Sequence, residues 1–334
     1  MVNNKNEVHK TVLLDEAVDA LEIEEGDVIV DATLGAGGHT LKILEKVGEA
    51  GVVIAFDLDK QAIEKFIEKN HFKVNCEDNI CEVLSGRLIL VNDNFKNVDT
   101  IIERIYARGG ISSDKVDGVL ADLGWRIEQI QDERYGMSFQ KEMLLDMRMS
   151  PETQKLTAKK IVNEWSEKEL INIFRELGEE CFAKKIARQI VSVRKNKKIN
   201  TTVELVEIIE TIKKDKNNKI NPATKVFQAL RITVNEEFSN LNIFLKQAID
   251  VLENEGRLVI ISFHSLEDRL VKKFFRAKAR GCVCPKELPV CVCEHEKEVK
   301  IISSKGIVPS VEEIKNNSRA RSARMRIAQR IIHD

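Results

Sequence analysis

Asp27-Val-Ile-Val-Asp31-Ala-Thr-Leu-Gly35-Ala-Gly37-Gly38-His39 decides the fold. A short apolar run ends in an acid, a glycine turn follows, and a helical pattern opens at about Thr40 and runs to Val47. That order reads as a buried strand, a tight loop and a helix. Glycines let a loop turn sharply and approach a ligand closely, and the helix start adds unpaired N–H groups. A second strand, Gly51–Phe56, ends at Asp57 in Ala55-Phe-Asp57-Leu-Asp59. An acid at that point can accept hydrogen bonds from both ribose hydroxyls of an adenosine cofactor. The spacing Gly35-x-Gly37-Gly38 departs from the G-x-G-x-x-G of dinucleotide sites. Asp31 would repel a pyrophosphate and suits the amino group of a methionine moiety. The residues therefore favour S-adenosylmethionine over a nicotinamide dinucleotide, with a ligand-free structural turn as the remaining alternative.

Further strands are expected at Arg87–Val91, Asp117–Ala121 and Gly256–Ser262. Strands alternating with helices mean βαβ units and a mostly parallel sheet with its strand C-termini on one edge. The fold class is thus α/β and Rossmann-like. From Thr157 to Lys219 the pattern turns helical and charged, with helices expected at Glu167–Glu176, Cys181–Arg194 and Thr202–Lys214. The expected division is a sheet domain of residues 1–145 and 220–334 around an inserted helical subdomain, 146–219.

The chain has 334 residues, 43% of them hydrophobic, which is ordinary for a globular protein. No apolar run approaches the roughly 18 residues of a membrane span, and Met1–Lys10 carries no apolar signal core. An intracellular, cytoplasmic location with no membrane partner is the expectation, and the scattered Cys76, Cys81 and Cys181 read as reduced thiols. Net charge is only −1, yet Lys184–Lys198 holds seven Lys or Arg and no acid, and Arg269–Arg280 holds six. Arg319, Arg321, Arg324, Arg326 and Arg330 follow. Such stretches serve a polyanion or form solvated helix faces.

Further stretches stand in order along the chain: His9-Lys-Thr-Val-Leu-Leu-Asp-Glu16, Asp31-Ala-Thr-Leu-Gly-Ala-Gly-Gly-His-Thr40, Asp117-Gly-Val-Leu-Ala-Asp-Leu-Gly124 and Leu145-Asp-Met-Arg-Met149. They continue through Asn221-Pro-Ala-Thr-Lys-Val-Phe-Gln-Ala-Leu-Arg-Ile232, Val234-Asn-Glu236, Gly256–Arg269 and Arg319-Ala-Arg-Ser-Ala-Arg324. In these motifs the sequence resembles the bacterial small-subunit rRNA cytosine-N4 methyltransferases. The resemblance implies a class I methyltransferase with a helical insertion, S-adenosylmethionine as cofactor, and ribosomal RNA or the small subunit as partner. It implies cofactor contacts at Gly37, Gly38, His39, Asp57, Phe95, Asp122 and Gln129, and leaves the catalytic residue unassigned. Between residues 125 and 144 the family pattern is broken: Trp125-Arg-Ile127 replaces Val-Ser-Ser, and Glu142-Met-Leu144 replaces Asp-Gly-Pro. These departures bear on the target nucleotide, so a methyltransferase for another RNA, or a non-catalytic RNA-binding factor, stays open.

Three other motifs invite chemistry. Ser262-Phe-His-Ser-Leu-Glu-Asp268 lacks the nucleophile elbow of a hydrolase; Ser265 with Asp268 reads as a helix capping box, and His264 as structural or RNA-contacting. Asn221-Pro222 reads as a helix start. Cys282-Val-Cys284 and Cys291-Val-Cys293, with His295 nearby, offer zinc ligand types, but C-x-C pairs are weakly diagnostic and no metal is assigned. Trp125 reads as packing or as a base-stacking face.

Overall fold

The structure is a computed structural model that describes residues 11–125, 132, 135–138, 142–213, 221–282, 284, 290, 292, 293 and 295–333. It divides into two compact units, residues 11–124 with 240–333, and residues 125–239. The expected limits at 146 and 219 fall inside the second unit, which is wider at both ends. The residues before 146 carry little helical pattern, yet Trp125, Tyr135, Met137 and Leu145 are buried in that unit's own core.

The first unit is built on one nine-stranded sheet. In chain order its strands are β1 (Val28–Asp31), β2 (Val52–Phe56), β3 (Val74–Glu77), β4 (Ile80–Val83), β5 (Leu88–Val91), β6 (Val116–Asp122), β7 (Leu252–Ser262), β8 (Val299–Ile301) and β9 (Arg324–Arg330). Their spatial order is β3-β4-β5-β2-β1-β6-β7-β9-β8. The five central strands β5, β2, β1, β6 and β7 are parallel. Asp31 is in register with Ala55 on one side and Leu120 on the other, which aligns the strand C-termini on one edge. β9 runs antiparallel to β7.

Helices of this unit are α1 (Leu14–Ala20), α2 (Gly38–Lys46), α3 (Lys60–Lys69), α4 (Val98–Ala107), α11 (Ser265–Lys278) and α12 (Val311–Asn316), with α10 (Glu237–Asp250) entering it at residue 240. Side chains alternate across the strands. Val30 and Ile54 join a core with Ile101, Leu245 and Phe275, whereas Ile29 and Val53 join one with Val18, Ile43 and Ile63. Both sheet faces are therefore covered, which explains why the central strands read as unbroken apolar runs.

Sequence reading did not find β3, β4, β8 and β9. In the β3–β4 hairpin Cys76 lies opposite Cys81 and the two are joined as a disulfide. The expectation of separate reduced thiols there is corrected: without the hairpin in view, nothing in the sequence brings the pair together.

The second unit holds α5 (Ala158–Glu164), α6 (Glu167–Glu176), α7 (Ala183–Val193), α8 (Thr202–Ile212) and α9 (Thr224–Val234) around Leu170, Phe174, Ile186, Ile190, Leu205 and Leu230. Full burial of each such side chain contributes about 1.5–3 kcal/mol. Capping boxes start two of these helices, Ser166 with Glu169 and Thr201 with Glu204. Asn221 and Pro222 form the turn before α9, with Asn221 Oδ1 accepting from Ala223 N at 2.8 Å. The buried Asn235 is a polar hub. Its Nδ2 donates to Met147 O at 2.8 Å and Arg231 O at 2.9 Å, and its Oδ1 accepts from Met149 N at 2.9 Å and Gln154 Nε2 at 3.1 Å. Two of the resemblance motifs, Leu145–Met149 and Val234–Glu236, thus meet as structure. Trp125 packs edge-on against Tyr135 and is 7% exposed, so it offers no free stacking face. No helix among the described residues is long and apolar enough to cross a membrane.

Candidate active site

The carboxyl edge of the parallel strands gathers the acids and the glycine loop. β1 ends at Asp31, whose side chain is fully buried. Its Oδ2 accepts from Thr40 Oγ1 at 2.6 Å and its Oδ1 from Thr33 N at 3.0 Å. Asp31 therefore clamps the loop to α2. Gly35 and Gly37 have φ of 55° and 82°, the left-handed region that suits glycine. A Cβ on Gly37 would also stand 1.9 Å from the Phe66 ring.

Asp57, one residue past β2, ties the loop to the next strand. Its Oδ2 accepts from Gly35 N at 3.0 Å and its Oδ1 from Asp59 N at 2.8 Å. Asn92, just past β5, donates to Asp57 O at 3.0 Å and holds that turn in place. Phe95 opens a short 3-10 turn after β5, is half-buried, and stacks edge-on against Phe244 with ring centroids 4.9 Å apart.

Asp122 ends β6. Its backbone N–H donates to Thr33 Oγ1 at 2.7 Å, and its Oδ2 lies 3.9 Å from Nδ1 of the buried His39. Its side chain is 19% exposed, yet Oδ1 is sealed from solvent and has no hydrogen-bond partner among the described residues. Burial pushes the Asp122 carboxyl well above the ordinary carboxylate range; the negative Asp31 and Glu267 push the same way, and Arg319 opposes them. Burial raises the Asp31 carboxyl too, against the pull of its hydrogen bonds from Thr40 and Thr33.

Of the residues singled out from sequence, the edge brings together Gly37, Gly38, His39, Asp57 and Asp122, with Phe95 following the neighbouring strand. Gln129 lies outside the described residues. Sequence reasoning missed Thr33, Asn92, Glu267 and Arg319. Asn92 had a local signal, a run of short polar residues directly after an apolar strand. The other three act through space. The capping of α11 is also shifted: His264, not Ser265, is the cap, its Nδ1 accepting from Glu267 N at 3.4 Å, while Glu267 Oε2 accepts from Phe263 N at 2.9 Å. Beside this helix start lies a groove of about 480 Å³ lined by His264, Arg269, Lys272, Arg321 and Arg324 among others.

A parallel sheet continued past β7 by an antiparallel β9, with a glycine loop after its first strand and an acid after its second, defines a class I methyltransferase that takes its methyl group from S-adenosylmethionine. The residues fit that cofactor: a loop with no side chains in the way, a carboxylate at the second strand, and a sealed acceptor at Asp122. The chain belongs to the MraW methylase family, which matches residues 6–331. It is 43% identical over 327 residues to a ribosomal RNA small subunit methyltransferase H from Halothermothrix orenii, covering 97% of this chain and 99% of that one. Proteins of the same name from Caldicellulosiruptor saccharolyticus and Finegoldia magna are each 42% identical over 97% of this chain and 99% of their own length. Among solved structures, an rRNA methylase from Streptococcus thermophilus overlays with a TM-score of 0.40 at 10% identity, covering 97% of this chain and 99% of that one.

Proposed function

We propose that this protein transfers a methyl group to the exocyclic N4 amine of a cytidine in small-subunit ribosomal RNA. The names of its relatives support the RNA, and the partly exposed Asp122 carboxylate at the end of β6 carries the chemistry. Gly37, Gly38, His39, Asp57, Phe95, Asp122 and Gln129 hold the cofactor in this reading, with Asp57 on the ribose hydroxyls and Phe95 against the adenine. When bound, S-adenosylmethionine supplies an electrophilic methyl on a sulfonium, displaced in line.

An exocyclic amine conjugated to its ring is a poor nucleophile, so alignment and exclusion of water do most of the work. The partly exposed Asp122 carboxylate accepts one N–H of that amine and turns its lone pair along the line of attack. The raised carboxyl pKa makes Asp122 a better acceptor for the proton that leaves after transfer. The basic groove beside α11 suits the phosphates flanking a base drawn out of single-stranded RNA.

The test is transfer of labelled methyl to small ribosomal subunits from cells lacking this activity, with nucleoside analysis. N4-methylcytidine, lost with Asp57→Ala, is expected. Label on another nucleoside overturns the cytidine assignment, and tight cofactor binding with no label in any RNA overturns the RNA reading. Lys272→Glu with Arg321→Glu is expected to weaken subunit binding and flatten its salt dependence while leaving cofactor affinity unchanged.

A further inference from the structure

Between the end of α11 at Lys278 and the start of β8 at Val299 the chain makes a long excursion with little apolar content to order it. The neck is closed by Lys278 Nζ, which lies 2.6 and 2.7 Å from the two Glu298 carboxylate oxygens, and by Glu298 N donating to Lys278 O at 2.8 Å. Val290 and Val292 are 70% and 72% exposed, so they contribute no core. Inside the excursion the Sγ atoms of Cys282, Cys284 and Cys293 all lie within 4.8 Å of one another. Cys282 and Cys293 are 3.9 Å apart at sulfur, and Val292 N donates to Cys284 Sγ at 3.4 Å.

We infer that these three thiolates bind a zinc ion that clips the loop. Thiolate–zinc bonds of about 2.3 Å at tetrahedral angles place sulfurs about 3.8 Å apart, the separation found between Cys282 and Cys293. A backbone N–H aimed at Cys284 sulfur stabilises the thiolate over the thiol, as ligand sulfurs require. Soft sulfur donors in tetrahedral array select zinc over the hard cations. Binding releases one proton from each thiol that coordinates and changes no oxidation state. Cys291 lies outside the described residues. The site stands apart from the carboxyl edge of the sheet and does not depend on the RNA reading.

The experiment titrates the reduced full-length protein, stripped of metal, with cobalt(II) and then zinc. One equivalent of cobalt is expected to give the intense visible bands of tetrahedral thiolate coordination, bleached by one equivalent of zinc. Cys282→Ser and Cys293→Ser should each lose the bands, and Cys181→Ser, at an exposed cysteine of the helical unit, should keep them. Limited proteolysis gives a second readout: zinc should slow cleavage between residues 279 and 298 several-fold, and chelator should restore it. Absence of tetrahedral cobalt bands in the reduced protein overturns the inference. So does an equal loss in Cys181→Ser, or a thiol count showing Cys282 and Cys293 oxidised to each other after reduction of accessible disulfides.

Discussion

In the helical unit Asn235 has both amide hydrogens donated and its oxygen accepting twice; at the sheet edge Asp122 keeps one sealed oxygen with no partner among the described residues. Each is a short polar side chain largely withdrawn from water. Burying a polar atom unpaired costs about 1–3 kcal/mol, so a fold uses networks like that of Asn235 wherever the only task is to hold a loop. Asp31 is satisfied in the same way within the site: one oxygen is bonded to the loop at Thr33 and the other to Thr40 of α2. Asp31 and Asp122 thus differ in how fully the protein itself satisfies them.

The comparison is broken if Asn235 turns out dispensable. Asn235→Leu should lower stability by about 2–4 kcal/mol, since it strands the Met149 N–H and the Met147 carbonyl, while Arg231 O keeps its bond from the backbone N–H of residue 235; denaturant unfolding of the helical transition measures it, with S-adenosylmethionine affinity expected within twofold of the parent. Next in size, Asp57→Ala removes the acceptor for Gly35 N and Asp59 N, and calorimetric titration should show cofactor affinity falling about a hundredfold, roughly 3 kcal/mol.

Asp122→Asn sharpens the contrast through pH. A carboxyl whose folded pKa is raised keeps its proton in the native state at pH values where the unfolded chain has lost it. The native state then binds more protons, and stability falls as pH rises from the unfolded value, about 3.9, through the raised folded one. Ligand-free Asp122→Asn should show a flatter stability–pH curve over that window, with Asp31 accounting for the residual slope, and its methyl transfer should slow. An unchanged curve would mean Asp122 is solvated after all. The smallest effect is expected from Phe95→Ala, which loses one aromatic face: about fivefold in cofactor affinity, near 1 kcal/mol.

The cofactor edge is legible in the sequence because its determinants are local. A glycine pair, an acid at a strand end and the helix that follows all fall within residues 27–59. The capping boxes at Ser166 and Thr201 are local for the same reason. What escapes is set by distant pairing. β9 reads as a basic tail because Arg326 is spent on Asp268, with contacts of 2.6 and 3.0 Å, while its apolar neighbours Met325 and Ile327 face the core. Arg319 and Glu267 influence Asp122 from far along the chain, and no periodicity records that. The extent of the helical unit is likewise decided by where Trp125 and Tyr135 pack, not by helical pattern.

β7 has β6 on one side and β9 on the other, and this interleaving sets a timetable for a chain made from its N-terminus. β6 is finished at residue 122, its partner β7 begins at 252, and β9 closes only at 330. At about 5–20 residues per second, the interval from the first to the last is on the order of ten to forty seconds. Through that time an apolar strand edge waits on the ribosome, open to pairing with other chains. Late strand insertion, not the helical insertion, is then the step at which synthesis of this protein is most exposed to misassembly.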